Sequence, residues 1–345
     1  MKTKKILTTA AVVLFIVSTL WLLQRLVVPK YMGDVVEGNF IAEYYDEEKD
    51  HNVIFLGDCE VYENFSPLVL WEEYGINAYI RGTAQQLVNQ SYYVLEDTLK
   101  HETPDVVVFS VLAVPLNEPA KESYNRMTLD GLPWSNTKLD AILTSMTEEE
   151  QLLDYVFPLL RYHSRITELT GEDFKYLFHR DLVSHNGYYM RVDAKPATNI
   201  PSARPLADYT IHADQMMWLE RIRPLCEEKG VELVLVKAPS LYPHWYDQWD
   251  AQITEYAEKN DLLYVNLLAA RDEIGLDFTT DTYDGGLHLN LAGAEKLSHY
   301  FGKILRDECG LESRRDEKTL EDAWAEKKEW YLEEKAQQES SLKKS

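Results

Sequence analysis

From about residue 51 to residue 310 the chain alternates short, wholly apolar runs with longer amphipathic stretches. The runs Val53–Leu56, Ala78–Ile80, Val106–Ser110, Leu233–Val236 and Leu262–Asn266 predict strands. They are apolar throughout rather than at every second position, which is the mark of strands buried on both faces. Between them, amphipathic spacing predicts helices at Leu68–Tyr74, Ala84–Lys100, Ala213–Lys229, Trp245–Lys259 and Ala292–Arg306. Pro104-Asp105 breaks the chain before the third strand, and Lys229-Gly230 ends a helix with glycine where a C-cap belongs. Such strands, joined by helices, predict a parallel sheet covered on both sides, with Val53–Leu56 central.

Three stretches depart from that rhythm. Residues 116–209 carry Trp134, Tyr155, Phe157, Tyr162, His163, Tyr188 and Tyr189 without an alternating strand pattern. An insertion after the third strand falls at the carboxyl edge of the sheet, where α/β folds bind ligands, and it reads either as a mostly helical cap over a cleft or as a plain structural subdomain. Residues 311–345 are charge-dense, with Trp324, Trp330 and Tyr331 as their large apolar groups, and read as a solvated helix or tail. At the other end, the basic Met1–Lys5 precedes an uncharged apolar run, Ile6–Leu23, closed by Arg25 and Lys30. At ~1.5 Å per residue that run is about 27 Å long, close to the ~30 Å hydrocarbon core of a bilayer. No small-x-small cleavage site follows it, so residues 1–30 are expected to be a retained signal-anchor. The lysines ahead of the span keep the N-terminus cytoplasmic and set the rest outside. The expected organisation is thus the anchor, a polar connector over 31–50, a flavodoxin-like three-layer α/β/α domain over 51–310 and the charged tail.

Hydrophobic residues make up 45% of the 345, enough for one large core with an insertion. The net charge is −23, and removing the five positive charges of residues 1–30 leaves −28 on the part expected outside. That balance excludes nucleic acid as a partner and gives no reason to expect docking on anionic lipid. Cys59, Cys226 and Cys309 are too few and too scattered for a disulfide framework, and none has metal-ligand spacing. Neither a cofactor nor a metal is expected. Cys226 falls on a predicted helix and Cys309 at another helix end, both as small apolar fillers; Cys59 stands apart.

Cys59 follows the first strand in Val53-Ile54-Phe55-Leu56-Gly57-Asp58-Cys59, and far downstream Asp284-Gly285-Gly286-Leu287-His288-Leu289-Asn290 opens into the last helix. A tight glycine turn at a strand end sets the next side chain on the rim of the sheet, and a late Asp/His loop can bring a base to that rim. Acyl transfer needs this set: a nucleophile, a base, an orienter for the base and donors for the oxyanion. The chain resembles the SGNH/GDSL hydrolase superfamily, with two departures. Cysteine holds the serine position, and Asp284 precedes His288 by four residues rather than three.

The resemblance implies Cys59 as nucleophile, His288 as base and Asp284 as its orienter, with Asp281 a second possible orienter. It also implies an oxyanion hole from Gly82, in Arg81-Gly82-Thr83, and from an asparagine after the third strand. The customary Gly-x-Asn-Asp is absent there; Asn117 is the candidate and Asn125 its rival. A nearby imidazolium would lower the thiol of Cys59 below its free value of ~8.5. Asn290 is placed to cap the last helix. Anchored proteins outside the cytoplasm in this superfamily include D-alanyl-transfer (DltD-like) and alginate acetylation proteins. The resemblance therefore implies an acyl esterase or O-acyltransferase acting on envelope polysaccharide or other polymer. The alternative is an inactive scaffold that binds glycan or a membrane-bound acyltransferase.

Overall fold

The computed structural model describes residues 2–29 and 39–344; residues 31–38 of the expected connector lie outside them. Among the described residues, β1 (Val53–Gly57), β2 (Ala78–Gly82), β3 (Val106–Ser110), β4 (Glu232–Lys237) and β5 (Leu263–Asn266) form one parallel sheet in the order β2-β1-β3-β4-β5. This is a flavodoxin-like α/β/α arrangement. β3 is the middle strand, and β1, expected to be central, lies beside it. The strand order reverses between β1 and β3, so their carboxyl ends flank the crevice where such sheets place ligands.

Successive side chains of a strand point to opposite faces, and the two cores divide accordingly. Ile54, Leu56, Val107, Phe109, Leu233 and Leu235 face one way, against the helices Val88–His101, Ala213–Glu227 and Asp247–Lys259. Val53, Phe55, Val106, Val108, Val234 and Val236 face the other, against Pro67–Tyr74 and Leu291–Asp307. The helix expected from Ala84 begins at Val88, because Gln85 takes a left-handed φ of 51° and Thr83–Leu87 form a loop at the end of β2.

The region 116–209 is helical only in its first part, through Glu122–Leu129, Asn136–Ser145, Leu152–Val156, Pro158–Tyr162 and Gly171–Lys175. Its later part runs without helix along the exposed edge of β2. There Asn186 accepts from the Ile80 N–H at 2.9 Å and its amide donates to the Ala78 carbonyl at 3.1 Å. An open sheet edge is thereby covered.

The C-terminal helix, Lys318–Leu342, departs from the expectation of a solvated segment. Leu320, Trp324 and Tyr331 are buried. Trp324 stacks on Trp71 with ring centroids 5.6 Å apart and donates from its indole to Asn77 Oδ1 at 3.1 Å. Large aromatic groups bury enough surface to dock a helix that is polar almost everywhere else.

At the opposite end, the helix Lys2–Val27 is long and apolar enough to cross a membrane. Its side chains from Lys2 to Leu22 are exposed, so the fold itself gives this apolar surface no cover.

Candidate active site

β1 ends at Gly57, whose φ of 146° belongs to glycine, and a Cβ there would stand 2.8 Å from Ser110 Cβ on β3. The chain turns at once into the short helix Cys59–Asn64. Asp58 caps it by accepting from the Glu60 N–H at 3.0 Å, which fixes Cys59 as the first helical residue. Burial, with the negative charge of Glu60, pushes the Asp58 carboxyl up to about 7.

The downstream loop is organised by Asp284. Its Oδ1 accepts from the backbone N–H of Leu287 at 3.1 Å and of His288 at 2.9 Å, while Oδ2 meets His288 Nδ1 at 2.7 Å. The two backbone bonds aim the carboxylate at the ring, so the four-residue spacing is absorbed within the loop. Thr282 donates to the His288 carbonyl at 2.7 Å and accepts from Gly286 N–H at 2.8 Å. The Tyr283 ring stacks beside the imidazole at 6.0 Å between centroids. Asp281 is committed elsewhere: Lys296 Nζ lies 2.6 Å from its Oδ2, which also accepts from the Asp277 N–H at 2.8 Å. Asn290 caps the last helix by accepting from Gly293 N–H at 3.2 Å.

Cys59 and His288 share the lining of one cavity of about 270 Å³, walled by Leu87, Leu112, Leu116 and Tyr242. His288 Nε2 is buried, and the side chain it meets is Cys59. With Nδ1 held by Asp284, this second nitrogen is the one left for the thiol or for a substrate. Each group shifts the other's ionisation. Burial dominates at Cys59 and pushes its thiol up to about 11, with the His288 charge only partly offsetting it. The thiol is thus raised, against the lowering expected from the imidazolium alone, because the desolvation of a thiolate outweighs that nearby charge. Burial alone would lower the His288 imidazole, but the charge of Cys59 when it is ionised, together with the hydrogen bonds the ring donates to Asp284 and to that thiolate, overcomes it and raises the ring well above its ordinary value. Asp284 itself lies below the usual carboxylate range: burial would raise it, and the bonds from His288 more than reverse that.

The other expected residues are placed less directly. Gly82 ends β2 beside Gly57, and a Cβ there would fall 2.5 Å from Val61 Cγ2 and 3.1 Å from the Asp58 carbonyl, so the position admits only glycine behind the Asp58–Cys59 turn. Asn117 does not line the cavity; it follows the short helix Ala113–Leu116 and accepts from Gln215 Nε2 at 2.7 Å. Asn125 is buried in the insertion among Gln90, the Ser145 carbonyl and Glu150. The cavity wall after β3 is Leu112, Ala113, Leu116 and Glu118 instead.

The sequence reading also missed a buried charge cluster beneath Cys59. Glu60 Oε1 accepts from Lys237 Nζ and from Ser240 Oγ, each at 2.5 Å, and Oε2 accepts from Ser110 Oγ at 3.2 Å. Glu60 and Lys237 are both almost fully enclosed. The cluster ties the residue after Cys59 to the ends of β3 and β4. Its signal in the sequence is a lone lysine closing the apolar run Leu233–Val236.

No protein-family model matches the chain, and none of the curated proteins matches it. Among solved structures, one from Bacteroides fragilis NCTC 9343, described as a "putative acylhydrolase", superposes with a TM-score of 0.39 at 11% identity, covering 79% of this chain and 98% of its own. A second superposes with a TM-score of 0.33 at 12% identity, covering 75% of this chain and 97% of its own. Similarity at this level carries no inference about family or activity.

Proposed function

We propose that the protein is a membrane-anchored SGNH-like acyl esterase or O-acyltransferase, exposed outside the cytoplasm and acting on cell-envelope polymers or glycans. The observation that carries the reading is the His288 ring, fixed by Asp284 at 2.7 Å on one side and buried against Cys59 on the other, in the cavity that both line. In this reading His288 Nε2 takes the Cys59 proton as the sulfur attacks an ester carbonyl. The alkoxide leaves with that proton, and the acyl group stays on sulfur as a thioester. His288 then deprotonates water, or an acceptor hydroxyl, which attacks the thioester and returns the thiol. Gly82 and Asn117 remain the proposed oxyanion donors from the sequence, with Asn117 requiring the loop after β3 to move. The small, mostly apolar cavity suits a short acyl group.

The reading is tested by the pH profile. Attack needs the Cys59–His288 pair to have given up one of its two protons, and the two groups titrate together. kcat/KM on acetyl or aminoacyl esters should therefore rise with pH as the pair loses its first proton. Asp284→Asn removes an interaction that raises the pKa of His288, so the limb should move to lower pH while the plateau falls. A limb that stays in place in Asp284→Asn would separate Asp284 from the base.

The anchor is tested separately. Full-length protein should stay with membranes through a high-salt wash, and recovery of a soluble form lacking the first ~30 residues would show cleavage instead.

A second reading, an inactive SGNH-fold scaffold that binds glycan or a membrane-bound acyltransferase, is favoured by two observations. The Cys59 thiol is pushed up to about 11, and neither asparagine lines the cavity. Absence of turnover by wild type across acetyl and aminoacyl esters would select it.

A further inference from the structure

The helix Lys2–Val27 does not stand clear of the folded domain. Leu26 and Val27 are buried, and the helix packs on Pro158–Tyr162, on the turn His163–Thr167 and on Gly171–Lys175. Arg165 ties the join: Nη1 donates to the Val27 carbonyl at 2.7 Å while Nη2 holds Asp173 Oδ1 at 2.9 Å. The same part of the insertion leaves Phe157, Leu160, Ile166, Phe174, Phe178 and Leu182 uncovered, with Phe178 88% and Phe174 53% exposed. Apolar side chains gathered in this way mark an interaction surface.

Two further observations identify what covers it. Arg25 lies over the Trp21 ring at 4.9 Å, and tryptophan and arginine near the end of a span sit at the membrane–water boundary. From Trp21 to Val27 the helix rises ~9 Å, about the depth of the headgroup layer that interfacial segments occupy. The charge also fits. Residues 157–182 carry four basic groups (Arg161, Arg165, Lys175, Arg180) against four acidic ones, a neutral stretch in a chain of net charge −23. Arg165–Asp173 at 2.9 Å and Lys175–Asp181 at 2.5 Å pair off carboxylates that anionic lipid would repel.

We infer that residues 157–182 are a lipid-facing platform, seated on the surface of the bilayer that Lys2–Val27 spans, with the exposed phenylalanines in the boundary between headgroups and acyl chains. The inference rests on the anchor reading given above. It holds the α/β domain directly against the membrane, with the end of the span packed into it.

The test uses full-length protein in vesicles of phosphatidylethanolamine and phosphatidylglycerol doped with an alkyne-tagged lipid. A photo-crosslinking p-benzoylphenylalanine replaces, one at a time, Phe15 in the span, Phe174, Phe178, and the exposed Leu332 on the C-terminal helix. Lipid adducts at Phe174 and Phe178 should approach that at Phe15 and exceed that at Leu332 several-fold. Adducts at Phe15 but at neither Phe174 nor Phe178 would overturn the platform and leave the anchor standing. Adducts from Phe174 and Phe178 to protein instead of lipid would overturn it in favour of a protein partner. No adduct even at Phe15 would overturn the anchor and the platform together.

Discussion

Replacing Cys59 with alanine should abolish acyl-enzyme formation and leave the fold intact, because the side chain lines a cavity and takes no part in the sheet or the charge cluster beneath it. Replacing His288 with alanine should slow acylation by roughly 10²–10⁴-fold, the usual size of a lost general base. Cys59→Ser is the informative third variant. Oxygen is smaller than sulfur, and a site built on the serine-hydrolase plan should retain measurable hydrolysis with it. Stopped-flow acylation with an activated ester, read beside circular dichroism, separates these outcomes. An unchanged rate in Cys59→Ala would move the chemistry to another group.

The second large effect concerns stability. Lys237→Met should cost about 3–5 kcal/mol, the penalty for leaving a buried charge without its partner. Glu60 would keep the hydroxyls of Ser110 and Ser240 but lose the Lys237 ammonium that meets it. Replacing both, as Glu60→Gln with Lys237→Met, should recover much of the loss, since a neutral amide can still bond the two serines. Equilibrium unfolding by urea in mild detergent measures both. A single variant within about 1 kcal/mol of wild type would mean that water or another group solvates Glu60.

How far the sequence could be read differs from element to element, for physical reasons. Val53–Gly57 and Val106–Ser110 were legible because strands buried on both faces must be apolar at every position. The loop Asp284–His288 was legible because its chemistry is local: the carboxylate, the ring and the backbone it orients lie within five residues. Asn117 was not, because its place depends on the short helix Ala113–Leu116, which carries it away from the cavity and toward Gln215. The direction of the Cys59 shift was hidden for a related reason. The sequence gives the partner that would lower the thiol but not the burial that outweighs it. Docking of Lys318–Leu342 rests on Leu320, Trp324 and Tyr331, too few in a charged stretch to raise an amphipathic signal, though they lie on one face of the helix. The Glu60–Lys237 pair joins residues 177 apart, and only the register of β4 beside β3 brings them together.

The central claim is that Cys59 carries the acyl group in reach of His288. Its most direct measurement is the intact mass of full-length protein quenched soon after mixing with acetyl and aminoacyl ester donors. The account predicts an added mass equal to the acyl group, located on Cys59, released by neutral hydroxylamine, absent from Cys59→Ala and accumulating more slowly in His288→Ala. Ester turnover with an unmodified Cys59, or an acyl group found on another residue, would contradict it.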